Sequence, residues 1–323
     1  VSSSPPTGHI VPSAPVSADV GRGGGRRPAG PFARATRWTR PVLVANLVAQ
    51  VAIIVTGGAV RLTGSGLGCS TWPQCEPGAF TPILHGATSI HPFIEFGNRT
   101  LTGVLGLIAI LVAVLVFTDR RRATSFRVLG LVPLIGVVLQ AVLGGVTVLL
   151  DLDPAVVGLH LLLSMAIVAV STVLLSRFDE GDARPERLVA PRTAAIAWAL
   201  APAAALVLAL GVVVTGSGPH GGDTEVAYRF AVDPILIARL HSGSVWLFLG
   251  LLAALLVALF RGGAPARARR AALVLLATTA AQGLIGYVQY FTGLPEVLVA
   301  LHMLGAALLT VATTWALLTL RRR

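Results

Sequence analysis

The chain has 323 residues, of which 54% are hydrophobic and only 12% charged, with a mean hydropathy of +0.80. Soluble domains carry about 25% charge, so the composition excludes an ordinary globular protein and indicates one built into a lipid bilayer. The formal net charge of +11 does not indicate nucleic acid as a partner: every basic residue is arginine, and the arginines gather in short links between apolar runs, where they report topology.

Residues 1–40 are rich in Pro, Gly, Ser and Arg and lack the apolar core and small-residue cleavage site of a secretory signal, so they read as a disordered cytoplasmic tail. Eight apolar stretches follow, at 41–60, 93–117, 128–150, 155–175, 194–214, 234–260, 271–291 and 295–320. Each is long enough to cross the hydrocarbon core, which takes about 20 helical residues. Pro133 and Pro202 fall inside two of them, as membrane helices allow when neighbours satisfy the freed carbonyl. The expected fold is an all-α integral membrane protein of eight transmembrane helices. Arginines of the tail, of the links after spans two, four and six, and of the end at Arg321 to Arg323 share one side. The positive-inside rule makes that side cytoplasmic, with both termini there. The loop "VRLTGSGLGCSTWPQC" (60–75), holding the only two cysteines, Cys69 and Cys75, then faces outward.

The chain repeats itself. "LQAVLGGV" (139–146) recurs as "AQGLIGYV" (281–288) and "VVGLHLL" (156–162) as "VLVALHML" (297–304), aligning Gln140 with Gln282 and His160 with His302 at one offset. "TGSG" recurs at 63–66 and 215–218 with a larger offset, which a shorter second outer loop explains. Two repeated four-helix bundles in the same orientation follow, 41–176 and 194–320, joined by a cytoplasmic linker at 177–193.

Polar residues within the spans are few, and each is costly in lipid unless it faces a bundle interior. Asn98, His160, His241 and His302 all come about one and a half to two turns in from the outer ends of even-numbered spans, which puts them in one layer near the outer leaflet. Histidines at matched depth on facing helices suit a bis-histidine haem site, and His241 with His302 makes such a pair in the second half. The alternative is that each histidine simply hydrogen-bonds across a helix interface. A zinc site fits less well, since this layer offers too few ligands close together.

These residues resemble the heme A synthase family, membrane enzymes that oxidise a methyl group of heme O to the formyl group of heme A for terminal oxidase assembly. The resemblance runs over nearly the whole chain after residue 40 and is carried by "GGAVRLTGSGLGCSTWPQC" (57–75), "IEFGNRTLTG" (94–103), the Gln/Gly pattern of spans three and seven, and histidines 160, 241 and 302. It implies a heme B held by His241 and His302 as iron ligands. It also implies a substrate-haem site in the first half, with His160 as one ligand and Glu95 as the catalytic glutamate beside the reacting group. The sequence departs from the family where His-Arg usually follows the glutamate: here Asn98-Arg99 stands. An amide is a poor axial ligand, so the first iron is either five-coordinate or takes another donor. His91 shares a helical face with residues 95 and 98, but Pro92 sets it at or before the helix start, where it reads rather as a loop or cap residue; His85 is a weaker substitute still.

Methyl oxidation removes hydrogen and electrons, and a carboxylate in a dry pocket can take the protons. Glu95 is the only acidic residue well inside a span, and its alternative role is an ion pair with Arg99 four residues on. Arg61, Arg99 and Arg239 can bind haem propionates or act as interfacial anchors. Cys69 and Cys75 face an oxidising compartment, where a disulfide is expected. The resemblance makes the pair redox-active or substrate-contacting, catalytic alongside Glu95; the plainer role is a staple for a mobile loop. It also implies heme O as substrate, heme A as product, an electron acceptor that no residue identifies, and contact with the heme O-producing farnesyltransferase in a bacterial plasma membrane. Two other functions share some of these features. A bis-histidine electron-transfer cytochrome leaves Glu95 and the cysteine loop without a task, and a duplicated transporter would hold its polar residues nearer mid-membrane.

Overall fold

The computed structural model describes residues 1–2, 31–83, 89–226 and 228–323. Most of the disordered-tail expectation (residues 3–30), and the reading of His85, lie outside the described residues. Among the described residues the helices are α1 (Pro31–Leu62), α2 (His91–Phe117), α3 (Thr124–Leu129), α4 (Val132–Leu149), α5 (Pro154–Glu180), α6 (Pro191–Ser217), α7 (Pro234–Arg261), α8 (Ala266–Phe291) and α9 (Glu296–Leu318). With α3 and α4 sharing one crossing, they make eight crossings long and apolar enough for a bilayer, and the chain is a multi-pass, all-α membrane protein.

Three boundaries differ from the sequence reading, and proline accounts for two. α1 begins at Pro31 rather than near residue 41, so residues 31–40 are helical and the tail is shorter than 1–40. A proline is at home in a first helical turn, where no N–H is needed, and Pro41, ten residues on, is carried inside the helix. The third crossing is broken: α3 stops at Leu129, and Pro133 lies in the first turn of α4 rather than inside a continuous span. Pro202 does lie inside α6. The linker is shorter than 177–193 because α5 runs on to Glu180, and its residues Glu186–Arg187 (β1) pair antiparallel with Arg321–Arg322 (β2).

The helices close into two rings. In the first, α1 packs on α2, α2 on α4, α4 on α5 and α5 back on α1; in the second, α6, α7, α8 and α9 close in the same way. Contacts of α1, α5 and α9 with one another, and of α5 with α6, join the rings. The densest apolar packing lies toward the arginine-rich face. There Leu200, Phe248, Leu252, Leu259 and Leu275 fill the second ring, and Leu43, Val116, Phe126 and Leu174 the first. The looser, polar-lined part of each ring is therefore at the opposite, loop-bearing end.

The duplication is written in the backbone as well as the sequence. Leu152 and Leu294, at the offset that relates His160 to His302, both have φ of 61°, and each donates its N–H back to the carbonyl of the fifth residue before it, Thr147 at 2.8 Å and Gln289 at 2.7 Å. The outer loops knit the rings together: Ser65 bridges Asp223, and Gly66 N–H donates to the Gly222 carbonyl at 2.8 Å.

On the arginine-rich face, Asp182 accepts from Arg122 Nε at 2.6 Å, the Ala123 N–H at 2.9 Å and Arg177 Nη2 at 3.3 Å. Burial opposes the charge on Asp182, but these donors outweigh it and hold the carboxyl below its ordinary value. With the folded pKa depressed, the stabilisation is present above the unfolded value of about 4 and is lost as pH falls through the folded value. Asp182→Asn should lower the thermal midpoint in detergent at neutral pH, at a cost of about 1–2 kcal/mol, and should flatten the acid loss of stability. A midpoint and acid profile like those of the parent would remove this network from the account.

Candidate functional site

A cavity of about 380 Å³ opens in the loop-bearing end of the first ring, between α1, α2, α4 and α5. Its walls bring together Glu95, Asn98 and Arg99 of α2, His160 of α5, Arg61 of α1, and Trp72 and Pro73 of the cysteine loop. Small residues make the room: Gly57 and Gly144 line it, and a Cβ on Gly144 would sit 3.4 Å from His160 Cε1.

Glu95 and Arg99 lie one turn apart on α2, so they present one face to the loop. Arg99 donates to Glu95 Oε1 from Nη2 at 2.5 Å and from Nε at 3.1 Å, and from Nη1 to the carbonyls of Thr71 and Gln74 at 3.0 and 3.2 Å. The other carboxylate oxygen, Oε2, accepts the Cys69 N–H at 2.6 Å. Glu95 is only 6% exposed, so the two strongest interactions of a buried carboxylate are a cation on its own helix and a backbone N–H from the loop. Gly68 lets the loop run against the start of α2, where a Cβ would come within 2.5 Å of the His91 carbonyl.

Cys69 and Cys75 form a disulfide, with Cα atoms 4.4 Å apart and both residues 0% exposed. Neither lines the cavity. What the short bracketed loop delivers is Trp72, whose ring lies so close to α4 that a Cβ on Gly145 would meet Trp72 Cδ2 at 2.4 Å. The disulfide thus braces a roof, and the loop touches Glu95 through backbone rather than sulfur.

The remaining expected residues divide. Asn98 Oδ1 accepts from Thr56 Oγ1 at 2.8 Å. His160 faces the cavity with Nδ1 buried and unpartnered among the described residues. His91, at the first position of α2, engages Ser65 Oγ at 2.8 Å through Nδ1 and does not line the cavity. Arg61 reaches across to the second ring, donating to the carbonyls of His220 at 2.7 Å and Thr215 at 2.9 Å; it has no carboxylate partner among the described residues. Arg239 is exposed near the start of α7, without an ion pair among the described residues.

In the second ring the His241 and His302 ring centres are 6.5 Å apart. A metal–imidazole bond of about 2 Å puts the two ring centres about 6 Å apart when one iron lies between them, so this pair fits a haem. His241 Nδ1 lies 3.1 Å from the Val207 carbonyl; an oxygen can only accept, so Nδ1 carries the proton and Nε2 is left to ligate. Each imidazole faces a glycine on the preceding helix, Gly211 or Gly286, where a Cβ would stand 3.2 or 3.4 Å from Cε1.

Sequence reasoning missed Gln50 and Thr56 in the first span, and Trp72. Asn46 and Gln50 at i, i+4 in an otherwise apolar run, and a tryptophan between two cysteines, were the available signals.

A family model described as "Cytochrome oxidase assembly protein" (COX15-CtaA) matches residues 40–230, a stretch that holds Glu95, Asn98 and His160 and ends before His241. Among curated relatives, a protein named heme A synthase from Bacillus cereus (strain AH187) is 33% identical over 138 residues, 41% of this chain and 43% of that one. One of the same name from Shouchella clausii is 29% identical over 140 residues, 43% and 45% of the two chains. Another, from an Exiguobacterium species (strain AT1b), is 27% identical over 167 residues, 51% and 54%. The chain spans about half the length of the curated relatives it matches.

Because both sulfurs are fully buried, the native protein in detergent should resist thiol labelling even after mild reductant, and label at two sites once denatured and reduced. Rapid labelling of the native protein would mean that the loop opens freely.

Proposed function

The chain belongs to the COX15-CtaA family of cytochrome oxidase assembly proteins, and on that premise we propose that it is a heme A synthase, oxidising a methyl group of heme O to a formyl group. The observation that carries this reading is the convergence of Glu95, Asn98, Arg99 and His160 on one cavity under a disulfide-braced roof. A cytochrome would need the histidine pair of the second ring and nothing of this first site.

In the proposal heme O enters the first-ring cavity with its carboxylates toward Arg61, a half-buried cation whose partners among the described residues are neutral carbonyls. Among the described residues His160 is the one imidazole lining the cavity, and it would face the iron. Asn98, on the helix diagonally across the ring, supplies an amide where an axial histidine would otherwise stand, and His91 is engaged with Ser65, so the substrate iron keeps an open side.

Turning the methyl into a formyl takes an oxygen atom from water or dioxygen and passes electrons to an external acceptor, and Glu95 accepts the protons released. Arg99 and the Cys69 N–H hold its two oxygens in separate directions, which fixes the carboxylate in the wall. Arg99 is thereby a positioning residue, since its donors are committed to Glu95 and to the loop. Cys69 and Cys75 are positioning residues as well: they keep Trp72 over the cavity and Cys69 N–H on Glu95, so the redox state of the pair acts through the roof. His241 and His302 would hold heme B, which when bound supplies a one-electron relay. Arg239, two residues before His241 on α7 and exposed, would offer a cation to its propionates. The arginine-rich face is cytoplasmic in this reading and the roof lies outside a bacterial plasma membrane.

Glu95→Ala should lower heme A in membranes by about 10²-fold or more, with heme O accumulating and heme B retained, as read by chromatography of extracted haem. Heme A at the parental level would remove Glu95 from the chemistry.

A further inference from the structure

The floor of the first-ring cavity is polar, which the packing of four apolar helices does not require. Gln50 of α1, Thr102 of α2, Gln140 of α4 and Ser164 of α5 all line it, each about three turns in from the loop-bearing end of its helix. Thr102 Oγ1 is satisfied by the Asn98 carbonyl at 3.1 Å, and Ser164 Oγ by the His160 carbonyl at 3.1 Å. Gln140 Nε2 donates to the His160 carbonyl at 3.0 Å and to Ser164 Oγ at 2.5 Å. Because that carbonyl can only accept, the Gln140 amide is oriented and its Oε1 is the atom left over. Besides His160 Nδ1, two buried polar atoms of cavity-lining residues then have no partner among the described residues: the acceptor Gln140 Oε1 and the donor Gln50 Nε2, on a side chain 3% exposed.

A buried donor and a buried acceptor without partners are unfavourable on their own, and both residues line the cavity. We infer that the two amides read a hydroxyl group on the side chain of the substrate. A hydroxyl carries one O–H donor and two acceptor lone pairs, so it can donate to Gln140 Oε1 and accept from Gln50 Nε2.

The inference rests on the heme A synthase reading, and the substrate's layout agrees with it. Heme O carries its carboxylates on one edge and, on the edge away from them, a hydroxyl-bearing isoprenoid chain where protoheme has a plain vinyl group. The methyl to be oxidised is next to a propionate. With the carboxylates at Arg61 on the rim, that methyl lies at the level of Glu95 and the hydroxyl edge descends to the amides. Gln50 and Gln140 are thus specificity and positioning residues: they favour the hydroxylated haem and set the rotation of the ring that puts the correct methyl at Glu95.

The test uses the full-length protein in detergent, with Gln50→Met, which keeps the side chain's length without its amide. Two quantities are measured, KM for heme O and the inhibition constant of protoheme as its competitor. The expected result is a KM for heme O raised about tenfold or more, with protoheme inhibition unchanged and the parent's preference for heme O over protoheme largely gone. Gln140→Met carries the same expectation and serves if Gln50→Met fails to accumulate. Parallel changes in both constants, or no change in either, would overturn the subsite while heme A formation by the parent protein left the function standing. Absence of heme A formation by the parent would overturn both.

Discussion

A carboxylate buried at the edge of a membrane span is stable only if its charge is met, and around Glu95 that requirement organises the first half of the molecule. Arg99 meets it from one helical turn away. The guanidinium is itself buried enough to need further acceptors, and it finds them in the carbonyls of Thr71 and Gln74. The second carboxylate oxygen takes the Cys69 N–H. A loop that would otherwise be free to move is thereby fastened to α2 at three points, and the disulfide limits how far it can depart. Cavity, roof and carboxylate are one construction: disturbing the ion pair disturbs the roof.

The same four-helix ring carries two different polar layers. In both rings the apolar core is concentrated toward the arginine-rich face, and the polar layer lies toward the loops. In the second ring that layer is two imidazoles at a separation suited to one iron, with glycines opposite. In the first, among the described residues, it is an imidazole, an amide and a carboxylate around a cavity of about 380 Å³. The rings do not stand apart, because Arg61 of the first is held by carbonyls of the second, and Met303, next to His302, lines the first cavity. The first cavity is therefore lined in part by backbone and side chains of the second ring.

Much of this was legible in the sequence, for identifiable reasons. Eight crossings follow from run length and charge, because lipid tolerates little else. Glu95 with Arg99, and the offset joining His160 to His302, are local or periodic signals. What stayed hidden depends on which side of a nearly uniform apolar helix faces inward, since such helices lack the stripe that marks a buried face. Gln50 was passed over for that reason. Arg61 was read as a rim cation, whereas the structure shows it also bound to the opposite ring, a contact across more than 150 residues. The break before α4 was missed because a proline within an apolar run is compatible with both a kinked and an interrupted helix.

In the function proposed above, one chain holds two chemically different haem sites, one for a resident cofactor and one for a substrate. The most direct measurement is to purify the protein in detergent, extract its haem and separate the species chromatographically. The account predicts heme B together with heme O or heme A. Heme B alone would reduce the chain to a cytochrome, and the absence of any haem would contradict both sites.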